Sequence, residues 1–425
     1  MSKSLTVSHG LTDTNQSVWE LSIIQLSGWM SLPILSTSVL ILHQNSFYGA
    51  VLTIFVGNVI LWFIRLGIIM MSHRHRQSTL DISRAYLGDT GAYLIGALLL
   101  ISTFAWFVAQ TTGASATLTS LIEIKEDPGI NQFIQMSVLL GILSTFLCME
   151  GITLLRKFSM VVFPLIVIAF VVALFAIPFQ LPSPVDKEIS LSGLGLVLGA
   201  HLGISSDLPT FFRHSRSLKT SIAALTMIQL ISFVVAIGGL YFGAIISDGF
   251  QVNAAVVLGT GSSSLRFALV GLVFLSVICA NVANVYSASV GWEVIAPSAL
   301  VGRKEYLILG LGLTTLFIMV SDLLSVETLL DAADSSLVNL CIILVLGYMI
   351  SRIFKKKPSS FDKNAYLAAW FLSTVINTLQ YCGIVQFTQT PLMIGIGTIF
   401  ITVLLAQIFK IRVTRILSLF SRTFC

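Results

Sequence analysis

The sequence predicts an all-α polytopic membrane protein with twelve transmembrane helices, and three observations predict it. Of its 425 residues 56% are hydrophobic and only 10% charged, whereas soluble globular domains carry about 25% charged residues. Apolar runs of roughly 20 residues, the length a helix needs to cross a ~30 Å hydrocarbon layer, recur from end to end. Basic residues collect in alternate connections, which orients those runs. The longest polar stretches, near 1–17, 72–84, 208–219 and 352–364, are too short to hold a core, so no soluble domain is expected.

The elements follow in chain order. A polar tail, 1–18, has no basic start, apolar middle or small-residue cleavage site of a secretory signal, so the N-terminus is expected in the cytoplasm. Spans are expected near 19–42, 47–71, 87–119, 131–150, 157–178, 190–207, 220–247, 265–292, 303–320, 332–351, 365–385 and 391–410. The inner connections then carry HRHRQ at 73–77 with Arg84, Arg156-Lys157, Arg213 to Lys219, Arg303-Lys304, KKK at 355–357 and a basic tail. The outer ones hold only Lys125, Lys187 and Arg266. That asymmetry gives both termini to the cytoplasmic side of an inner membrane, and it makes the net charge of +5 an orientation signal with no bearing on nucleic acid. The organisation expected is a ten-helix transport core over 19–351, a basic loop at 352–364, two accessory helices within 365–410 and a basic tail at 411–425.

The chemistry of soluble enzymes is missing. The five cysteines are scattered without a C-x-x-C pair, and Cys425 is not four from the end, so disulfide, zinc and prenyl readings have no footing. There is no Walker A, H-E-x-x-H or G-x-S-x-G pattern, so no enzyme and no cofactor are expected.

Two spans carry interruptions in corresponding places. Span 1 contains QLSGWMSLP, ending at Pro33, and span 6 reads GLGLVLGAHLGISSD from Gly193 to Asp207. Glycine weakens a helix and proline removes a backbone donor, so breaks are expected near 27–33 and 193–205. They lie five spans apart, as in transporters built from two inverted five-helix repeats, where broken helices meet substrate near mid-membrane. Glycines that merely let helices pack closely are the alternative.

Polar side chains recur at membrane depth. Helical spacing puts Thr103, Trp106, Gln110, Gly113 and Thr117 on one face of span 3, aligning an indole with a carboxamide. Such a face suits a planar ligand with a polar edge. In span 8, CANVANVYSAS places Asn281 and Asn284 one turn apart. A buried amide needs a partner, which is either another helix or a ligand. Asp207 and His201 are candidates for proton coupling; the alternatives are pairing of Asp207 with Arg213 or Arg216, or helix capping, and a neutral hydrogen-bonded His201. Asp331 and Asp334 belong to an outer vestibule or a loop, while Glu150 and Glu293 pair with basic inner loops.

These stretches resemble the nucleobase–cation symporter family of cytosine, purine, uracil, allantoin and hydantoin transporters. SGWMSLP resembles its broken first helix, and HRHRQSTLDISRAYLGDTGAYL its inner segment leading into span 3. AWFVAQ is similar to its W-F-G-x-Q motif, with Val108 where glycine is usual. SSDLPTFFRHSRS and NVANVYSAS resemble its segment after span 6 and its Asn-rich span 8. The likeness covers about the first 300 residues and weakens beyond them.

The resemblance implies a leucine-transporter-like architecture with alternating access around a central site. Trp106 would stack on the substrate, Gln110 would bond its edge, Asn281 or Asn284 would face the same pocket, and the breaks would bring Gly28, Ser31, Leu198 and Gly199 beside it. Two hydroxyl residues that serve sodium in coupled members correspond here to Cys279 and Ala280, whose thiol and methyl offer no oxygen to a hard cation. The expected function is therefore import of a small planar nitrogenous heterocycle, cytosine or another nucleobase, coupled to protons or to no ion. An amino-acid or amine permease and a non-transporting membrane receptor are the rival readings.

Overall fold

The computed structural model describes residues 15–73, 77–123, 130–177, 191–247, 251–295, 303–320, 326–387 and 390–423. Lys125 and Lys187, residues 74–76 of the basic HRHRQ stretch and most of the N-terminal tail lie outside them. Helix α1 (Val18–Trp29) starts on a reciprocal cap: Glu20 N donates to Ser17 Oγ at 3.3 Å and Ser17 N to Glu20 Oε2 at 2.7 Å. Helix α2 (Leu32–Gln44) follows with Pro33 in its first turn. Pro33 has no N–H to donate back to Trp29, so α1 does not run on into α2, and the chain bends by 63° here.

Helix α3 (Phe47–His73) leads to α4 (Thr79–Glu123), in which Gly88 at φ +80° separates a short inner segment from span 3. Only glycine takes that conformation without strain. Helices α5 (Ile130–Cys148) and α6 (Ile152–Ala176) complete the first half. The second half opens with α7 (Leu191–Ser205) and the short α8 (Leu208–Phe212), then α9 (Leu218–Leu240). A two-stranded ribbon follows, β1 (Ile246–Ser247) antiparallel to β2 (Gln251–Val252), with α10 (Ala254–Gly259) beside it. Helices α11 (Ser263–Ile295), α12 (Arg303–Val320) and α13 (Val326–Ile353) end the core, and α14 (Ser360–Tyr381) and α15 (Pro391–Thr423) pack together beyond it.

Two expectations change. The glycine-rich stretch 193–205 is unbroken helix, and the interruption falls after it, at Ser206 and Asp207. Pro209, in the first turn of α8, removes the donor that would carry the helix onward, whereas Gly203 serves a close approach described below. The basic tail is not a separate segment, because α15 continues through 411–423. Among the described residues eight helices are long and apolar enough to cross a membrane, and the bent pair α1–α2 makes nine. The three other expected spans are helical as well, but α7 has 15 residues, α12 opens on Arg303, Lys304 and Glu305, and α14 carries Asn377 and Gln380 along its length, so length and apolarity do not by themselves assign them to the membrane.

The packing explains why a chain so apolar is stable in lipid. Helix α11 lies at the centre against α4, α5, α6 and α1, and its residues from Val277 to Ala280 are buried. The outward faces of α6 and α9 expose Val161, Phe175, Leu230 and Val234, apolar side chains that suit acyl chains and not water. Expected ion pairing at the basic end is present, with Arg303 Nη2 donating to Glu150 at 2.8 Å. There the chain before α1 is strapped to the segment after α8: Gln16 N donates to His214 O at 3.1 Å, and Arg216 Nε to Asn15 O at 2.6 Å.

Candidate substrate cavity

The α1–α2 break, the middle of α4, the end of α7, α11 and α13 enclose a cavity of about 100 Å³. Its aromatic walls are Trp29, Trp106 and Phe211, and its polar edge includes Gln25, Gln110 and Asn284. Asp207 is the one carboxylate among the lining residues, which include no lysine, arginine or histidine. Such a cavity offers π faces, amides that both donate and accept, and an acidic acceptor.

The amide edge is built across two helices. Asn284 Nδ2 donates to Gln110 Oε1 at 3.3 Å, which leaves the Gln110 amide N–H groups and the Asn284 carbonyl for a ligand. Asn281 turns the other way, donating to Thr111 Oγ1 at 3.0 Å, and its Oδ1 has no partner among the described residues. The two asparagines thus divide between ligand edge and helix contact, since their one-turn offset brings only Asn284 to the cavity.

Asp207 is buried at the α7–α8 interruption. It is neither ion-paired with Arg213 nor capping α8 through its side chain. It accepts instead from Ser287 Oγ of α11 and, at 3.4 Å, from Thr79 Oγ1 at the start of α4. Arg213 points to the Tyr286 hydroxyl at 3.3 Å. Asp207 therefore ties three elements together at the basic-loop end of the cavity.

Of the two places expected for Asp334, an outer vestibule or a loop, the structure excludes the loop: the residue lies inside α13, and Trp106 Nε1 donates to its Oδ1 at 2.8 Å. The carboxylate lies against Gly203, where an added Cβ would come within 3.0 Å of Oδ1. The wall formed by Trp106 is thus held from behind by an acid on α13.

Arg65, fully buried in α3, joins the two interrupted spans. Its Nε donates to Ser205 Oγ at 2.7 Å, Nη2 to His201 O at 2.9 Å and Nη1 to Gln229 Oε1 at 2.7 Å. The guanidinium also lies 4.4 Å from the Trp29 ring centroid, a cation–π contact that fixes this cavity wall. No carboxylate lies within ion-pair distance of Arg65 among the described residues. Its charge faces the carbonyl end of α7, where a cation is favourable.

Of the expected site residues, Gly28, Trp106, Gln110, Asp207, Ala280 and Asn284 line the cavity. Ser31 is buried at the start of α2, and Leu198 packs with Ile41, Ile54 and Leu61, away from the cavity. Gly199 has no atom within 4 Å of an added Cβ. His201 bonds its own helix, Nδ1 to Val197 O at 2.9 Å, and sits edge-on to Trp29. Cys279 is buried off the cavity, and Ala280 meets Gly28 backbone to backbone, an added Gly28 Cβ lying 3.4 Å from Ala280 Cα. That crossing presents no side-chain oxygen of Cys279 or Ala280. No group of three or more His, Cys, Asp or Glu among the described residues is placed to hold a metal ion.

Sequence reasoning missed Arg65 and the link between Asp334 and Trp106. The available signal was position alone: a charge in the middle of an apolar span is costly unless something engages it.

No family model matches the chain, and no curated protein matches it in sequence. Solved structures do match. The nucleobase-cation-symport-1 family transporter Mhp1, closed with bromovinylhydantoin bound, aligns at TM-score 0.71 and 13% identity over 94% of this chain and 93% of that one. The inward-facing conformation of Mhp1 aligns at TM-score 0.66 and 14% identity, over 97% and 96%. A Na+-coupled sialic acid symporter aligns at 0.66 and 12%, over 95% and 93%. A manganese transporter of Eremococcus coleocola aligns at 0.55 and 16%, over 98% of each chain. These likenesses show the fold, a leucine-transporter-like all-α membrane architecture, and all four structures are of transporters, not enzymes.

Proposed function

We propose that this chain is a secondary transporter that carries a small planar nitrogenous heterocycle, cytosine or another nucleobase, across a cytoplasmic membrane by alternating access. One observation carries the reading: Trp106 and Trp29 wall a small cavity whose edge is the Gln110–Asn284 amide pair. A flat ring stacks on the indoles, and its N–H and carbonyl edge meets amides able to donate and accept. The fold's transporter neighbours support the transport part of the reading. The heterocycle rests on the cavity's chemistry and on the motif resemblance. The lack of side-chain oxygen on Cys279 and Ala280 at the Gly28 crossing supports coupling to protons, or to no ion, over sodium.

Asp207 favours a second reading, an amine as cargo, because a carboxylate with no lining cation is a natural counter-ion for an ammonium group. Competition separates the two. Purified protein in proteoliposomes is expected to take up labelled cytosine or another nucleobase, with competition by nucleobases and not by amino acids or amines. Trp106→Ala and Gln110→Ala are expected to abolish that uptake. Uptake of every nucleobase unchanged in both variants overturns the assignment of the cavity, and ligand binding without flux identifies a receptor instead.

A further inference from the structure

Asp334 is placed unlike Asp207. Asp207 is met by hydroxyl donors from two helices, whereas the one hydrogen bond made by Asp334 among the described residues comes from Trp106. No lysine or arginine nitrogen among them lies within 4 Å of it. One turn before it on α13 is Asp331, on the same helix face and exposed. The pair lies at the end of α13 opposite Arg352 and the three lysines that follow. A line of acid thus runs from solvent at the base-poor end, through Asp331, to a carboxylate that touches the cavity wall.

Among the described residues the surroundings of Asp334 are otherwise poor in charge. From α14, Tyr381 faces the two acids. Helix α4 contributes Trp106, and α7 brings Gly203 against the carboxylate, with His201 turned to its own helix. On α3, Arg65 is engaged by Ser205, Gln229 and the His201 carbonyl, and Cys341 of α13 donates to Leu202 O at 3.4 Å. The described part of α15 has no titratable group at this end. Charge on a carboxylate at this depth carries a desolvation cost that one indole N–H offsets only in part.

We propose that Asp334 is the coupling acid: it takes one proton from the solution at the base-poor end and releases it on the other side in each transport cycle, and Trp106 carries its state to the substrate. This rests on the transporter reading. The proton comes from hydronium in the medium and forms an O–H bond on the free carboxylate oxygen. The acid that results holds Trp106 Nε1 through a neutral acceptor, a weaker bond than the charge-assisted one. Protonation therefore loosens the indole wall, and release tightens it. His201 does not serve this role because its Nδ1 is engaged by Val197 O of its own helix and a proton added to the ring would put a second positive charge beside the Arg65 guanidinium, which is bonded to the His201 carbonyl. Asp207 does not, because its donors hold it as part of the joint between α4, α8 and α11.

Two measurements test the proposal, and the first needs no substrate. Tryptophan fluorescence of the ligand-free protein is expected to carry a pH-dependent component that disappears in Asp334→Asn and in Trp106→Phe and persists in Asp334→Glu. A component unchanged in Asp334→Asn overturns the proposal, whatever the cargo proves to be. The second is accumulation of labelled nucleobase in proteoliposomes driven by an imposed pH gradient. Asp334→Asn is expected to cut it at least tenfold while counterflow exchange, which needs no net proton movement, falls far less. Trp106→Phe removes the donor to the anion, so the pH midpoint of whatever uptake remains is expected to move up by about one unit. Gradient-driven accumulation by Asp334→Asn at the wild-type level overturns the proposal. Absence of nucleobase binding by the wild-type protein counts against the proposed cargo and leaves the fluorescence result to decide on Asp334.

Discussion

Asn284 Nδ2 and Gln110 Oε1 lie 3.3 Å apart across α11 and α4, so one amide edge is shared between two helices that belong to different halves of the fold. Neither residue presents its full hydrogen-bonding capacity without the other. Replacing Gln110 or Asn284 by alanine is expected to weaken ligand binding by about 1–3 kcal/mol each, roughly five- to 150-fold. The double variant is expected to lose less than the sum, as groups in direct contact do. A thermodynamic cycle on ligand titrations of the four proteins checks this, and strict additivity would refute the shared edge.

Arg65 has three acceptors and an aromatic face, a set that a methionine leaves unmet and a lysine meets only in part. Arg65→Met is expected to destabilise the protein by about 2–4 kcal/mol. Arg65→Lys is expected to recover part of that loss. Thermal melting in detergent gives the order, and equal melting temperatures for all three proteins would exclude Arg65 as the brace between the interrupted spans.

Gly203 leaves room for the Asp334 carboxylate. An alanine Cβ there would sit 3.0 Å from Oδ1 and 3.1 Å from Cγ, closer than ordinary contact. Gly203→Ala is expected to push Asp334 off Trp106 and to lower uptake several-fold, with a stability loss of about 1–3 kcal/mol. Gly199→Ala, with nothing within 4 Å, serves as the control that should change neither quantity.

Replacing sodium by choline at constant pH is expected to leave uptake unchanged. Loss of uptake in choline, restored by sodium, would show that other oxygens serve the ion where Cys279 and Ala280 do not.

Asp362 lies at the basic-loop end of α14. Burial works against its charge, but Lys410 Nζ at 2.7 Å and the Ser359 hydroxyl and amide outweigh burial and hold its carboxyl well below the usual carboxylate range. Because the folded value is depressed, this contribution to stability is fully present above the ordinary value near ~3.9 and is lost as pH falls through and below it. Melting temperature between pH 6 and pH 3 is expected to drop less steeply in Asp362→Asn than in the parent. Parallel curves would show that the α14–α15 contact does not depend on this charge.

Much of the fold was legible because its signals are local. A run of lipid-compatible length, a proline after SGWMS and a bias of arginine and lysine are each readable one segment at a time. The position of the second interruption was not, because four glycines outweigh one proline by propensity while the packing of α7 against α3 and α13 rescues the glycines. Periodicity aligned Trp106 with Gln110 on one face, and both line the cavity. It could not separate Asn281 from Asn284, whose partners are set by a helix more than 170 residues away in sequence. Asp334 and Arg65 were opaque for the same reason: their meaning lies in Trp106, Gly203, Trp29 and His201, none of which is a sequence neighbour.

The strap between Gln16 and His214 and the brace of Arg65 join the same two spans at different heights. Two bodies pinned at two separated points keep only rotation about the line through the pins. Span 1 and span 6 are therefore held against parting, and the movement left between them is a hinge about that line.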